Sequence, residues 1–314
     1  MANATQTRWR RLVQWVVIAL VVGFWAWFVA RNGAALAAYP WQVDPAALLL
    51  AAGASALYFL GLALGWTLLL RRMGEPMPWV QGARIWFSST FMRYVPGNVW
   101  HVVGRVVLGG AADASKTRVL VSATVEQVLT VLAAVIVFAF SLPFWPGTVN
   151  QPEAAALPTG TWWLLLALVP LGLVVLHPAV LGRMLNLALR LVRRPPLDLG
   201  LRYLDILLLL AWYTATTVFS GLSLCLVVAG LTPLPWAHWP LVAGVAAGAW
   251  AIGYLSFLTP TGLGVREGVM VALLALIVPL PVATVASLLA RLVSSLGEAA
   301  WVVTANGVDW WARR

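Results

Sequence analysis

Six apolar stretches of about spanning length run along the chain, separated by short polar or basic segments. They predict helices at about Leu12–Val29, Ala46–Leu70, Val119–Leu142, Thr161–Leu181, Leu204–Leu231 and Val282–Ala305. About twenty apolar residues, rising 1.5 Å each, are needed to cross a hydrocarbon core. The period-two alternation of an outer-membrane barrel is absent from the sequence. The pattern therefore predicts an all-α membrane protein, with residues 1–314 forming a single polytopic domain.

Two stretches fit neither a span nor a soluble loop. Trp79–Gly110 is too polar for the first and too apolar for the second, and it is interrupted at Pro96 and Gly97. Further on, the apolar run Trp239–Leu258 meets Pro260, Gly262, Gly264 and Gly268 before a second run, Val269–Leu280. Proline lacks an amide hydrogen and disfavours helix before it, and glycine permits backbone angles that other residues resist. Each stretch thus predicts two short helices meeting at a break. One reading is a cytoplasmic turn between two short spans. The sharper one is a re-entrant hairpin, whose broken backbone is tolerated at membrane depth only where it is buried in protein or lines a wet cavity.

The order span, span, hairpin, span occurs in 12–142 and again in 161–305. The closing spans correspond too: Thr124, Glu126 and Gln127 in one, Ser294, Ser295 and Glu298 in the other. That is the outline of an inverted-topology repeat, a design in which transporters build a central site. It rests on pattern, since residue identity between the halves is low and any even set of spans divides in two.

Composition agrees with the pattern: 62% of the residues are hydrophobic and 10% charged, outside the range of a soluble domain. The net charge of +10 would suggest nucleic acid in a soluble protein. Here 17 of the 20 basic residues fall on one side of the expected spans, the positive-inside bias, so no nucleic-acid partner is expected. That bias predicts a cytoplasmic (inner) membrane location with both termini cytoplasmic. The Arg93 hairpin would then enter from the cytoplasm and the Arg266 hairpin from outside. The basic N-terminus followed by an apolar run looks like a signal peptide, but its length and the lack of a cleavage site predict an uncleaved first helix. Cys225 is the only cysteine, and His101, His177 and His238 lack ligand spacing, so no metal or cofactor is expected.

Ionisable residues at membrane depth cost about 2.5–3.5 kcal/mol each on insertion scales, which makes them functional candidates. They are Arg93, Arg105, Glu126, Arg266, Glu267, Arg291 and Glu298. The structural alternative is ion pairing, such as Glu298 with Arg291 on one helix, or Arg93 as a surface anchor. Arg105 and Arg266 each follow a break. A helix restarting near Asn98 or Gly262 would present free amides and a positive dipole end, and an arginine one or two turns in adds a fork suited to phosphate. Asn98, Thr259 and Thr261 could cap or donate, and Trp100 and His101 could shape the pocket. Glu126 and Glu298 either carry protons or balance the arginines. No phosphate-binding P-loop, His-Glu-x-x-His or dinucleotide fingerprint is present, so the chain is not expected to be an enzyme.

The stretches L-T-P-T-G-L-G-V-R-E-G at 258–268 and R-Y-V-P-G-N-V-W at 93–100 resemble the two signatures of the lysylphosphatidylglycerol synthase transmembrane-region family, flippase-like membrane proteins. The resemblance covers nearly the whole chain; Thr261 departs from it where glycine is usual. It implies lipid translocation between leaflets, often beside a synthase or glycosyltransferase. The residues it carries over are Pro96, Gly97, Arg105, Pro260, Gly262, Gly264, Arg266 and Glu267. The expected function is a flippase for an anionic, phosphatidylglycerol-type lipid. The alternatives are a flippase for a polyprenyl-phosphate-linked sugar, a scaffold for a synthase, or a membrane enzyme on a lipid phosphate with Glu267 or His101 as base.

Overall fold

The computed structural model describes residues 37–94, 99–145, 159–191, 193–256, 262 and 264–312, with a few positions between 23 and 33. Ten helices and no strand are formed among the described residues. The expected first span, 12–29, lies outside them apart from Gly23, Ala26 and Trp27. So do Pro96, Gly97, Asn98, Thr259, Pro260 and Thr261.

Among the described residues, four helices are long and apolar enough to cross a membrane: α1 (Pro45–Arg72), α4 (Lys116–Ser141), α7 (Tyr203–Ala229) and α10 (Leu280–Ala312). Their starts follow local chemistry. Asp44 accepts the Ala46 amide at 2.9 Å ahead of Pro45, a residue suited to a first helical turn. The Ser115 hydroxyl accepts from the Arg118 amide, and the Asp205 carboxylate accepts the Arg202 amide at 3.1 Å.

Between α1 and α4 lie α2 (Trp79–Thr90), a 3₁₀ turn (Phe91–Tyr94) and α3 (Trp100–Gly110). At 12 and 11 residues, α2 and α3 are each too short to span alone, and they pack on one another. The second broken stretch gives α8 (Trp239–Leu255) and α9 (Val265–Leu274), also packed together. The helices restart at Trp100 and Val265, two or three residues beyond the points expected.

The expected fourth span, 161–181, is corrected. It is α5 (Thr159–Val175), followed after a turn by α6 (Pro178–Leu191) at 69° to it. Pro178 supplies no amide hydrogen and biases His177 away from helix, so the helix stops there. The basic segment that follows is helical as far as Leu191.

Packing of the elements is paired. The antiparallel helices α1 and α7 meet face to face: Trp212 Nε1 donates to the Gly61 carbonyl at 2.9 Å, and a Cβ on Gly61 would press on Thr216 at 2.7 Å. Around that contact α4 packs on α8 as α10 packs on α2, α4 on α7 as α10 on α1, and α3 on α4 as α9 on α10. Tryptophan indoles fasten the cross-contacts. Trp301 donates to the Ala56 carbonyl at 2.8 Å and stacks on Phe87, with centroids 5.6 Å apart. Two large buried apolar clusters result, one around Trp66, Leu69 and Tyr213, the other around Leu241, Val245 and Leu274, with a small third between Val137 and Ala251. A polar cavity lies between the two hairpins.

Candidate functional site

The cavity has a volume of about 100 Å³. Arg93 and Arg105 reach it from the first hairpin, Arg266 from the second. Glu126 and Gln127 come from α4, and Arg291, Ser294 and Glu298 from α10. All seven ionisable candidates from the sequence meet in or beside it.

Arg105 is 1% exposed, on the helix that follows the first break. Its Nη1 donates to Glu126 Oε2, and its Nε faces the Ser89 hydroxyl at 3.4 Å. The guanidinium lies 4.9 Å from the Trp66 ring and 5.4 Å from the Trp86 ring. Trp86 Nε1 donates to the other Glu126 oxygen at 2.7 Å. Both carboxylate oxygens are thereby engaged, and Glu126 takes one terminal nitrogen of the Arg105 guanidinium. Truncating one member would leave the other charge buried, a far larger loss than the pair's own net contribution.

The second hairpin is arranged differently. Gly262 (φ +69°) and Gly264 (φ +84°) take left-handed angles. The turn runs so close to α8 that a Cβ on Gly262 would meet the Gly253 backbone. A side chain at either glycine would be strained. One Glu267 oxygen accepts the Gly264 amide at 2.7 Å, capping α9, and the other faces Arg291 Nη1 at 3.4 Å. The α9 N-terminus, expected to offer free amides, is thus partly satisfied by its own chain. The same corrects the expected pairing of Arg291 with Glu298. Seven residues apart on one helix, they are separated by about 10 Å of rise. Glu298 instead faces Arg93 Nη2 at 2.9 Å. That places Arg93 at the cavity wall, its guanidinium 5.7 Å from the Phe59 ring, rather than in the role of surface anchor.

Four arginines therefore meet three glutamates, and each glutamate has its arginine: Glu126 with Arg105, Glu267 with Arg291, Glu298 with Arg93. Arg266 is the fourth. It is partly buried and lines the cavity, and its guanidinium forms no hydrogen bond or ion pair among the described residues. It follows Val265 in the first turn of α9, so the helix dipole adds to its charge.

Residues 14–300 match the family described as Lysylphosphatidylglycerol synthase TM region. The chain belongs to this family. It is a multi-pass integral membrane protein tied to lipid metabolism or transport. No curated protein matches the chain. In this member of the family Arg266 lines the cavity from the second hairpin, with Glu267 beside it, and Arg93 lines it from the first.

Sequence reasoning missed the aromatic half of the wall. Tyr58 and Phe59 come from α1, Trp86 from α2, and Trp250 and Tyr254 from α8, where the last two stack with centroids 5.2 Å apart. In a chain with 19 tryptophans a single Trp carries no signal. Tyr58 in mid-span, a ring with a polar tip at membrane depth, was the one clue.

Proposed function

We propose that this protein is a flippase, not an enzyme, that carries an anionic phospholipid of the phosphatidylglycerol type between the leaflets of the cytoplasmic membrane. Arg266 carries this reading. A guanidinium in a low-dielectric cavity, at a positive helix end and without a carboxylate partner among the described residues, is costly until an anion arrives. A lipid phosphate supplies that anion and fits the planar fork in bidentate fashion. The acyl tails stay in the surrounding lipid while the head group passes through the cavity. Arg93 and Arg291 hold the phosphate from the sides by loosening from their glutamates. The closed Arg105–Glu126 pair favours charge balance over proton carriage for Glu126.

The paired packing of the two halves supports an inverted repeat, 12–142 with 161–305, as the frame for alternating access. Both termini lie in the cytoplasm on this reading, with the basic loops beside them. The head group's chemistry leaves polyprenyl-phosphate-linked sugars as the second substrate class, favoured by the stacked Trp250–Tyr254 pair as a surface for a sugar ring. A lipid-modifying synthase or glycosyltransferase is the expected partner.

The test is reconstitution in liposomes with fluorescent phosphatidylglycerol and external dithionite. Protein-dependent exposure of inner-leaflet label, with the lipid recovered chemically unchanged, is expected. Chemical alteration of the lipid would instead establish a membrane enzyme. No movement of phosphatidylglycerol together with movement of a polyprenyl-phosphate sugar would move the substrate class.

A further inference from the structure

Away from the cavity, α6 carries a surface that lipid transport does not use. The helix α5 is 17 residues long, about 25 Å at 1.5 Å per residue, and nearly crosses the hydrocarbon core alone. After it α6 turns by 69° from the α5 axis. At about 100° per residue, α6 divides into three sectors. Leu181, Leu185 and Leu189 face the bundle, with Leu181 and Leu189 buried in its main apolar cluster. Met184, Leu187 and Leu191 form a second face, exposed at 53%, 62% and 79%. Arg183 and Arg190 form the third and are exposed.

The segment after α6 adds to the basic sector. Asn186 clamps it: its Nδ2 donates to the Leu197 carbonyl at 3.2 Å, and the Leu197 amide donates to its Oδ1 at 2.8 Å. Exposed Arg193 and Arg194 are held between those anchors, Arg193 with a left-handed φ of 55°. No Asp or Glu occurs between Pro178 and Leu197. Four arginines without an acid, beside an exposed apolar face on a helix bent by 69° from the one before it, have the chemistry of an interfacial helix on anionic lipid.

We propose that α6 with Arg193 and Arg194 is a docking surface for anionic phospholipid head groups of the leaflet at the end of the bundle where α7 begins. Met184, Leu187 and Leu191 enter the acyl boundary and the four arginines hold phosphates above it. The surface enriches anionic lipid around the bundle, and it does so whether or not the protein transports lipid.

The test places a bimane fluorophore on Leu187→Cys, in a Cys225→Ala background, in phosphatidylcholine nanodiscs. Doxyl-labelled phosphatidylglycerol should quench it severalfold more than doxyl-labelled phosphatidylcholine at equal mole fraction. The preference should shrink as salt is raised. Replacing Arg183, Arg190, Arg193 and Arg194 together by Gln should equalise the two quenchers while quenching by phosphatidylcholine persists. Should the fourfold variant fail to fold, Arg183→Gln and Arg190→Gln singly should each lower the preference. Equal quenching of the parent protein by both lipids, absence of quenching by either, or a preference that survives these substitutions would overturn the proposal. None of these readings depends on flipping, so the transport reading is tested separately.

Discussion

The two hairpins begin from the same local grammar, an apolar lead-in, a break and a short helix carrying an arginine, and they end in different chemistry. In the first, the arginine after the break is enclosed: Arg105 is buried beside two tryptophan rings and meets Glu126. In the second, the carboxylate is enclosed. Glu267 caps its own helix and faces Arg291, and its neighbour Arg266 is the one left facing the cavity. The two hairpin-to-closing-helix pairs are thus reversed in charge, Arg-to-Glu in one half and Glu-to-Arg in the other. An arginine's position after a break does not set its role; the partner that the closing helix presents to it does.

The largest expected effect tests the closed side. Glu126→Ala leaves Arg105 buried and unpaired, so thermal melting in detergent should show a loss of about 3–5 kcal/mol. Replacing Arg105 and Glu126 together by Leu should recover most of it. Equal losses in the single and double variants would show that the pair is not coupled.

The open side should respond in transport rather than stability. Arg266→Ala should slow movement of phosphatidylglycerol by about tenfold or more, the loss of a charge-assisted contact of roughly 1.5–3 kcal/mol. Its melting should match the parent. Arg266→Lys, which keeps the charge without the fork, should fall between. A folded Arg266→Ala variant that flips anionic lipid at the parent rate would place the phosphate site elsewhere.

A smaller effect probes the turn that aims Arg266. Gly262→Ala forces a side chain into a left-handed turn against the Gly253 backbone. It should cost about 1–3 kcal/mol in melting. The smallest belongs to Glu267→Gln, which keeps an acceptor for the Gly264 amide and gives up its charge toward Arg291. A loss of about 1 kcal/mol is expected. A loss as large as that of Glu126→Ala would mean that the second hairpin is locked as tightly as the first.

Much of this was legible in the sequence because the bilayer restricts what a chain can do there. Spanning length named α1, α4 and α7 to within a few residues, and α10 apart from its last seven residues, since in lipid the backbone must satisfy itself in helices. The Pro-Gly interruptions located both hairpins, and the insertion cost of charge singled out the seven arginines and glutamates in and beside the cavity. Local chemistry also reaches Glu267, whose place three residues past Gly264 is the position of a capping acid.

Pairing was decided by the tertiary structure. Sequence spacing suggested Arg291 with Glu298 because they share a helix, yet the partners come from other elements: Glu267 on α9 and Arg93 on the turn before the first break. Ion pairing acts over a few ångströms of space, and seven residues along a helix exceed that distance. The bend at Pro178 was equally hidden, because hydropathy runs on across it while the missing amide hydrogen and the steric bias on His177 stop the helix. By itself the sequence determined which segments are apolar enough to enter a membrane and which charges they carry with them. Only the packing of α4 and α10 against the two hairpins decided that three of the four arginines would be answered by carboxylates and that Arg266 would be left facing the cavity.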